Sequence, residues 1–171
     1  MKNNQTGTIV LGIAAGALVF LGLKAVTSQP EQAQDNTPKG VGTIEFSETN
    51  WELGEIPMSK GVNTKEIKIK NPTEFPVQIT GMQTSCMCTS AQIVHANGKK
   101  SAVKGMVGHG GGTATMLETI NAGEEVTLLV NFDPNAHGPD ATGPITRDVS
   151  ITTNNPEKSD WDLTFGGIVI K

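Results

Sequence analysis

The chain is poor in aromatic residues, in cysteine and in positive charge. Aromatic residues make up 4% of its 171 residues and tyrosine is absent, so we expect a core of Ile, Val and Leu. Two cysteines are too few for a disulfide framework. A formal net charge of −4 gives no electrostatic basis for binding nucleic acid. These scarcities exclude a small disulfide scaffold and a nucleic-acid-binding domain.

Sequence motifs of common enzymes are also missing. The chain has no H-E-x-x-H pair, no G-x-x-x-x-G-K loop and no serine in a nucleophile elbow. The glycines at positions 110–112 are not followed by the helical pattern that a phosphate-binding loop needs. We therefore predict a protein that is not an enzyme.

One long apolar run stands near the amino terminus. Residues 9–23 carry no charge, and with Thr8 and residues 24–26 the run approaches the ~20 residues that cross a bilayer. We predict a single-pass membrane anchor over residues 1–27, with the rest of the chain outside the cytoplasm. A cleaved signal peptide is the alternative, and it gives the same compartment.

Beyond the apolar run, composition divides the chain into a linker and one domain. Residues 28–42 are rich in Gln and Pro and predict a flexible linker. Residues 43–171 are enough for one domain with one core. The glycine-rich interval at about 92–119 interrupts the regular pattern and is interpreted as an insertion, in which residues 113–117 predict an extra short strand.

The domain shows the two-residue periodicity of β-strands. Ile67 and Ile69 alternate with charged residues, and apolar residues recur at every second position over 126–132. Residues 145, 147, 149, 151 and 153 share one face in the same way. No window keeps a 3.6-residue apolar period over three turns. The pattern predicts an all-β, immunoglobulin-like antiparallel sandwich of about seven strands.

Several short motifs follow one another in a recognisable order. They are Leu53-Gly54-Glu55-Ile56, Ser85-Cys86-Met87-Cys88-Thr89, Asn121-Ala122-Gly123-Glu124, Asn131-Phe132-Asp133 and Gly166-Gly167-Ile168-Val169. The series resembles the bacterial family DUF1573, whose members are similar to the ASH and Hydin modules. The resemblance implies an immunoglobulin-like fold and an envelope setting, but no reaction. Met87 stands where family members usually carry glycine.

Cys86 and Cys88 are separated by a single residue. In an extended backbone their side chains share one face, and Met87 points to the other face with the core residues Ala91 and Ile93. The pair then binds a soft metal, forms a disulfide or packs as two small apolar residues. An i,i+2 disulfide is strained and easily reduced, and no basic neighbour is visible to lower a thiol pKa.

The candidate metal ligands are soft donors on this strand and in the insertion. Thiolate and thioether sulfur suit copper, and imidazole extends the set to Cu(II) or zinc. The predicted ligands are Cys86, Cys88, Met106, His109 and Met116. His95 is a further candidate. His137 lies in a turn-rich segment that we interpret as a connection between strands.

Three functions remain open from the sequence. The first is a membrane-tethered, extracytoplasmic binding or scaffold domain whose exposed strand edges recognise an unknown envelope protein. The second is a copper-binding protein that uses Cys86 and Cys88 together with Met106, His109 and Met116 of the insertion. The third is a thiol redox protein that uses the two cysteines alone. The first needs no cofactor, and none of the three involves nucleic acid.

Overall fold

A computed structural model describes residues 40–171 of the chain. The predicted anchor over residues 1–27 and most of the predicted linker lie outside the described residues. Among residues 40–171, no helix has the length and apolar character needed to span a bilayer. The described part is all-β apart from one short 3₁₀ helix, Met58–Lys60.

The described residues form nine strands in two sheets. The strands are β1 (Glu45–Phe46), β2 (Asn50–Pro57), β3 (Asn63–Lys70), β4 (Val77–Thr84), β5 (Thr89–His95), β6 (Thr115–Ile120), β7 (Glu125–Phe132), β8 (Gly143–Thr153) and β9 (Asp160–Ile170). One sheet has the order β1-β3-β7-β5 and the other has the order β2-β9-β8-β4-β6. The connection between β4 and β5 therefore passes from one sheet to the other.

The core lies between the two sheets and consists mainly of aliphatic side chains. Ile67 and Ile69 on β3 are fully buried, and they face alternate residues of β7 such as Leu128. Phe165 stacks on Trp51 at 5.1 Å between ring centroids, and both belong to the same core. The predicted two-residue alternation is confirmed because each sheet can bury only one of its faces.

Two details of the predicted sandwich are corrected. Nine strands are present in residues 40–171 rather than about seven. The two additional strands are β1, which is only two residues long, and β6, which begins within the predicted insertion. The sheets are not purely antiparallel, because β2 pairs in parallel with β9. The pairing register of β2 and β9 shifts between Glu52 and Glu55. Gly54 lies there with a φ of +67°, a backbone conformation that favours glycine.

The predicted insertion contributes to both sheets. Its first residues complete β5 and its last residues form β6, so the connecting loop spans residues 96–114. Part of this loop runs along the free edge of β5, where Lys100 and Lys104 make isolated bridges with Val94 and Ala91. The ammonium group of Lys104 donates to two backbone carbonyls of the same region. The loop therefore covers one edge of the four-stranded sheet.

Candidate functional site

The two cysteines lie in a tight turn and not in an extended strand. β4 ends at Thr84 and β5 begins at Thr89. The backbone N–H of Thr89 donates to the carbonyl of Cys86 at 3.1 Å, which closes the turn. The hydroxyl of Thr84 lies 3.0 Å from the same carbonyl oxygen. The turn therefore sits where the chain crosses between the two sheets.

The turn brings the two sulfurs together. The Sγ atoms of Cys86 and Cys88 are 2.6 Å apart, and the backbone N–H of Cys88 points at the sulfur of Cys86 at 3.4 Å. Cys88 is 3% exposed, whereas Cys86 is half-buried and belongs to the rim of the core. The expectation that Met87 faces the core is wrong, because its side chain is 50% exposed. Strand alternation does not apply within a turn.

A histidine and an arginine contact the sulfur pair. His137 Nε2 lies 3.0 Å from the sulfur of Cys86, and Arg147 Nε donates to the sulfur of Cys88 at 3.1 Å. His137 comes from the loop between β7 and β8, and Arg147 comes from β8. The basic neighbours that were not visible in the sequence are therefore present in space.

Backbone hydrogen bonds explain why these residues meet. The N–H of Asp133, where the β7–β8 loop begins, donates to the carbonyl of Cys88 at 2.8 Å. On the other side of the turn, Ser85 and Asp148 are joined by two bonds. The N–H of Ser85 donates to the carbonyl of Asp148 at 3.0 Å, and the N–H of Asp148 donates to the Ser85 hydroxyl at 2.8 Å. The turn is thus fixed to the two elements that carry His137 and Arg147.

The pKa values of the two thiols are shifted in opposite directions. Burial by itself raises the pKa of Cys86, but hydrogen bonds from the side chain and backbone of Cys88, the contact with His137 and the charge of Arg147 together lower it to about 7. For Cys88, burial and the hydrogen bond to Cys86 raise the pKa, and Arg147 only partly opposes this. The half-buried Cys86 is therefore the sulfur that ionises first.

The predicted metal ligands do not all come together. Within residues 40–171, the group of His, Cys, Asp or Glu side chains that could hold a metal consists of Cys86, Cys88 and His137, whose ligand atoms lie within 4.8 Å of one another. His109 is exposed in the glycine-rich loop and is not part of this group. Met116 is on β6, half-buried against the core. The histidine beside the cysteines is therefore His137.

The glycine-rich loop nevertheless approaches the cysteine turn. The N–H of Thr84 donates to the carbonyl of Gly105 at 3.3 Å, so the loop passes next to the start of the turn. Met106 follows in a tight turn, where its carbonyl accepts from the N–H of His109 at 3.2 Å. The ligand roles of Met106, His109 and Met116 stay predictions.

His95 is engaged elsewhere. Its two ring nitrogens lie 2.8 Å from Glu118 and 2.7 Å from Glu124, and Lys99 contacts Glu118 at 2.5 Å. Burial by itself raises the pKa of Glu118, but the contacts with Lys99 and His95 lower it overall. For Glu124, burial is likewise outweighed by hydrogen bonds from Asn121 and His95. His95 therefore joins the end of β5 to β6 and to the turn before β7.

A pocket opens beside the site. It has a volume of about 250 Å³, and both His137 and Arg147 line it. Its apolar walls include Phe132, Ile145 and Val169. His137 and Arg147 therefore border a space that could admit a small external group, whereas neither cysteine lines this pocket.

The three donors suit a thiophilic ion after a small movement. A tetrahedral zinc ion with Zn–S bonds of about 2.3 Å holds its two sulfurs roughly 3.8 Å apart. Because the sulfurs of Cys86 and Cys88 are 2.6 Å apart, binding requires them to separate by about 1 Å. Cys86 is the half-buried member of the pair, so it has more freedom to move outward.

Comparison with known proteins supports the fold and the resemblance to one family. A family model described as "Protein of unknown function (DUF1573)" matches residues 44–107. The predicted resemblance to DUF1573 is confirmed. This DUF1573 stretch contains β1 to β5 and both cysteines, whereas His137 and Arg147 lie beyond it. None of the curated proteins compared with the chain matches it.

Several solved structures are similar to the chain. A protein of unknown function from Porphyromonas gingivalis W83 has a TM-score of 0.54 and 18% identity, over 75% of this chain and 47% of that chain. The chain therefore spans about half the length of that protein. The ASH/PapD-like domain 7 of human CEP192 has a TM-score of 0.45 and 9% identity, over 77% of this chain and 87% of that chain. The E. coli chaperone DraB has a TM-score of 0.37 and 10% identity, over 76% of this chain and 55% of that chain.

Proposed function

We propose that this DUF1573-type sandwich is a binding domain, and not an enzyme, that holds a soft metal ion through Cys86, Cys88 and His137. One observation carries the proposal: two sulfurs and one imidazole nitrogen lie within 4.8 Å of one another at the crossing between the sheets. Sulfur and imidazole donors favour thiophilic ions such as Cu(I) and Zn²⁺ over Mg²⁺ or Ca²⁺.

Charge balance favours Cu(I) over Zn²⁺. Cys88 is buried and Arg147 donates to its sulfur, so the guanidinium belongs to the local charge of the site. One cuprous ion, two thiolates and one guanidinium sum to zero, whereas a zinc ion leaves one positive charge. An uncompensated charge in a partly buried site costs free energy. The neutral combination is therefore the better match.

The proposal includes the setting expected from the sequence. A tethered, extracytoplasmic domain would meet metal ions outside the cytoplasm, where two adjacent thiols either bind metal or oxidise. The apolar run over residues 9–23 supports this location. Under the proposal the domain binds and presents the ion, and the partial exposure of Cys86 leaves one side of the site open to solvent.

A titration of the reduced full chain with Cu(I), against a competing chelator, tests the proposal. We expect one ion per chain, and we expect Cys88→Ser and His137→Ala to weaken binding. Changes to residues that only support a metal ligand typically cost 10- to 100-fold in affinity, so the loss of the His137 ligand should cost at least about tenfold.

His109→Ala is the matched control. His109 is also an exposed loop histidine, and it is the ligand predicted from the sequence. Unchanged affinity in His109→Ala, together with a loss in His137→Ala, supports the three-residue site. The reverse pattern would move the site to the glycine-rich loop, and wild-type affinity in both variants would leave no role for histidine.

A second candidate function is protein binding along β6. This strand lies at the edge of the five-stranded sheet, and Leu117 on it is 70% exposed. Unpaired strand edges accept an added strand from a partner. A photo-crosslinking residue at position 117 should give a defined product in envelope extracts, while the same residue at the exposed Val62 should not. Equal products at both positions would argue against β6 as the binding edge.

A further inference from the structure

We propose that Cys86 and Cys88 also form a reversible dithiol–disulfide couple that exchanges with an external disulfide, with Cys86 attacking and Cys88 closing the ring. This activity uses residues of the proposed metal site, but it does not require that a metal binds. The two cysteines have different roles in this exchange, although the sequence alone does not distinguish them. The substrate class is a small or exposed disulfide that can reach the surface of the turn.

The distance between the sulfurs is the first support. At 2.6 Å, the two Sγ atoms are about half an ångström from the disulfide bond length of about 2.05 Å. The turn that closes between Cys86 and Thr89 already holds the side chains in this arrangement. Ring closure therefore requires the two sulfurs to approach by about a further half ångström.

The difference in exposure assigns the two roles. Cys88 is 3% exposed, so an external disulfide cannot reach its sulfur, whereas the half-buried Cys86 is reachable. Once Cys86 carries a mixed disulfide, the closest thiol is that of Cys88.

Basic groups accompany both sulfurs. His137 Nε2 lies 3.0 Å from the sulfur of Cys86, where negative charge develops in the attacking group. Arg147 Nε lies 3.1 Å from the sulfur of Cys88, where the second thiolate forms. Hydrogen-bond donors and cations stabilise thiolates, which are the reacting species in disulfide exchange.

The exchange is balanced with glutathione disulfide as the oxidant. The thiolate of Cys86 attacks one glutathione sulfur, a Cys86–glutathione bond forms, and the glutathione disulfide bond breaks with release of one glutathione thiolate. Cys88 then loses its proton and attacks the sulfur of Cys86, which releases the second glutathione thiolate. The dithiol is oxidised, the glutathione disulfide is reduced to two thiols, and the two cysteine protons are taken up by the two glutathione molecules.

Mass spectrometry of the full chain separates these steps. The protein is reduced, treated with a chelator to remove metals, incubated with excess glutathione disulfide and quenched with acid. We expect the wild type to lose two hydrogens, Cys88→Ser to retain one bound glutathione, and Cys86→Ser to remain unmodified. Met87→Ala is a control within the same turn and should behave as the wild type.

Two separate measurements on the wild type, the metal-free exchange assay and the Cu(I) titration, distinguish this activity from metal binding. In the exchange assay, Arg147→Gln removes the cation beside Cys88, so the mixed disulfide should persist longer than in the wild type. Metal binding without any oxidation would overturn the exchange and leave the proposed function intact. Oxidation without metal binding would overturn the proposed function and leave the exchange intact.

Two results would overturn the assignment of roles. One is a Cys86→Ser variant that is modified as fast as Cys88→Ser, and the other is a wild-type protein that keeps bound glutathione or stays fully reduced. Far-ultraviolet circular dichroism of each variant must retain the β-sheet spectrum. The conservative Cys→Ser substitutions are compared with Met87→Ala, so that a folding defect is not read as a loss of exchange.

Discussion

The lowered pKa of Cys86 predicts how its reactivity depends on pH. In the metal-free protein its pKa is about 7, compared with an ordinary value of 9.0. At pH 7 about half of Cys86 is therefore thiolate, against about 1% of an ordinary thiol, which is an advantage of about 50-fold. Intrinsic nucleophilicity falls as the thiol pKa falls, and a pKa lower by two units reduces the reactivity of the thiolate roughly 6- to 10-fold. We expect Cys86 to react roughly sixfold faster than an ordinary exposed thiol at pH 7.

Alkylation with iodoacetamide measures this directly. Initial rates are followed from pH 5 to pH 10 in the reduced, metal-free protein, and peptide mass spectrometry assigns the product to Cys86 or Cys88. The rate at Cys86 should rise with a midpoint near pH 7. Cys88 should react slowly throughout, because it is buried and its pKa is raised.

His137→Ala identifies part of the cause. Its removal eliminates one of the interactions that lower the pKa of Cys86, so the midpoint should move to higher pH. His109→Ala, a change to another exposed loop histidine, should leave the midpoint unchanged. A wild-type midpoint near pH 9, or a midpoint that His137→Ala does not move, would refute the electrostatic explanation.

Three further predictions concern stability. Glu118→Gln should lower the free energy of unfolding by about 1–3 kcal/mol at pH 7, because the carboxylate is hydrogen-bonded to Lys99 and His95. The pKa of Glu118 is lowered in the folded state, so its contribution is present above its ordinary value of 4.5 and is lost as the pH falls through the folded pKa. Urea unfolding at pH 7 and pH 3 should therefore show a smaller difference between variant and wild type at pH 3. Asn71→Ala should cost about 3 kcal/mol in urea unfolding, because the fully buried side chain bonds two backbone carbonyls, and an unchanged midpoint would contradict this. Leu163→Ala should cost about 2–5 kcal/mol by the same assay, because the side chain is fully buried and a cavity remains; a loss below 1 kcal/mol would show that the core collapses around it.

The alternating strands could be predicted because burial acts on each strand separately. On β3, the two isoleucines at positions 67 and 69 are fully buried while the lysines between and beside them are exposed. A two-residue period is a local property, so it is visible without knowledge of the neighbouring strands. The order of strands within the sheets is not local. The parallel pairing of β2 with β9 joins residues more than a hundred positions apart, and no pattern in either strand specifies it.

The geometry of the cysteine turn could not be predicted from periodicity. Alternation predicts continuous faces from β4 through Cys86 and Cys88 into β5, but the chain changes sheets between Thr84 and Thr89. Where a strand ends and the next begins in another sheet, the assignment of faces starts again. This is why Met87 is exposed and Cys88 is buried, the opposite of what a continuous strand predicts.

Arg147 and His137, the two basic residues of the site, differ in how far they could be predicted from the sequence. Arg147 occupies the same face of β8 as the buried Val149 and Ile151, and a charged residue at such a position needs a partner. That requirement is visible in the sequence, although the partner, the sulfur of Cys88, is not. His137 gives no such signal, because it lies in an irregular loop whose position depends on the bond between Asp133 and Cys88. The sequence therefore indicates that Arg147 needs a partner, but it does not indicate that His137 belongs to the site. The proposed metal site depends on His137, so the structure is needed to find it.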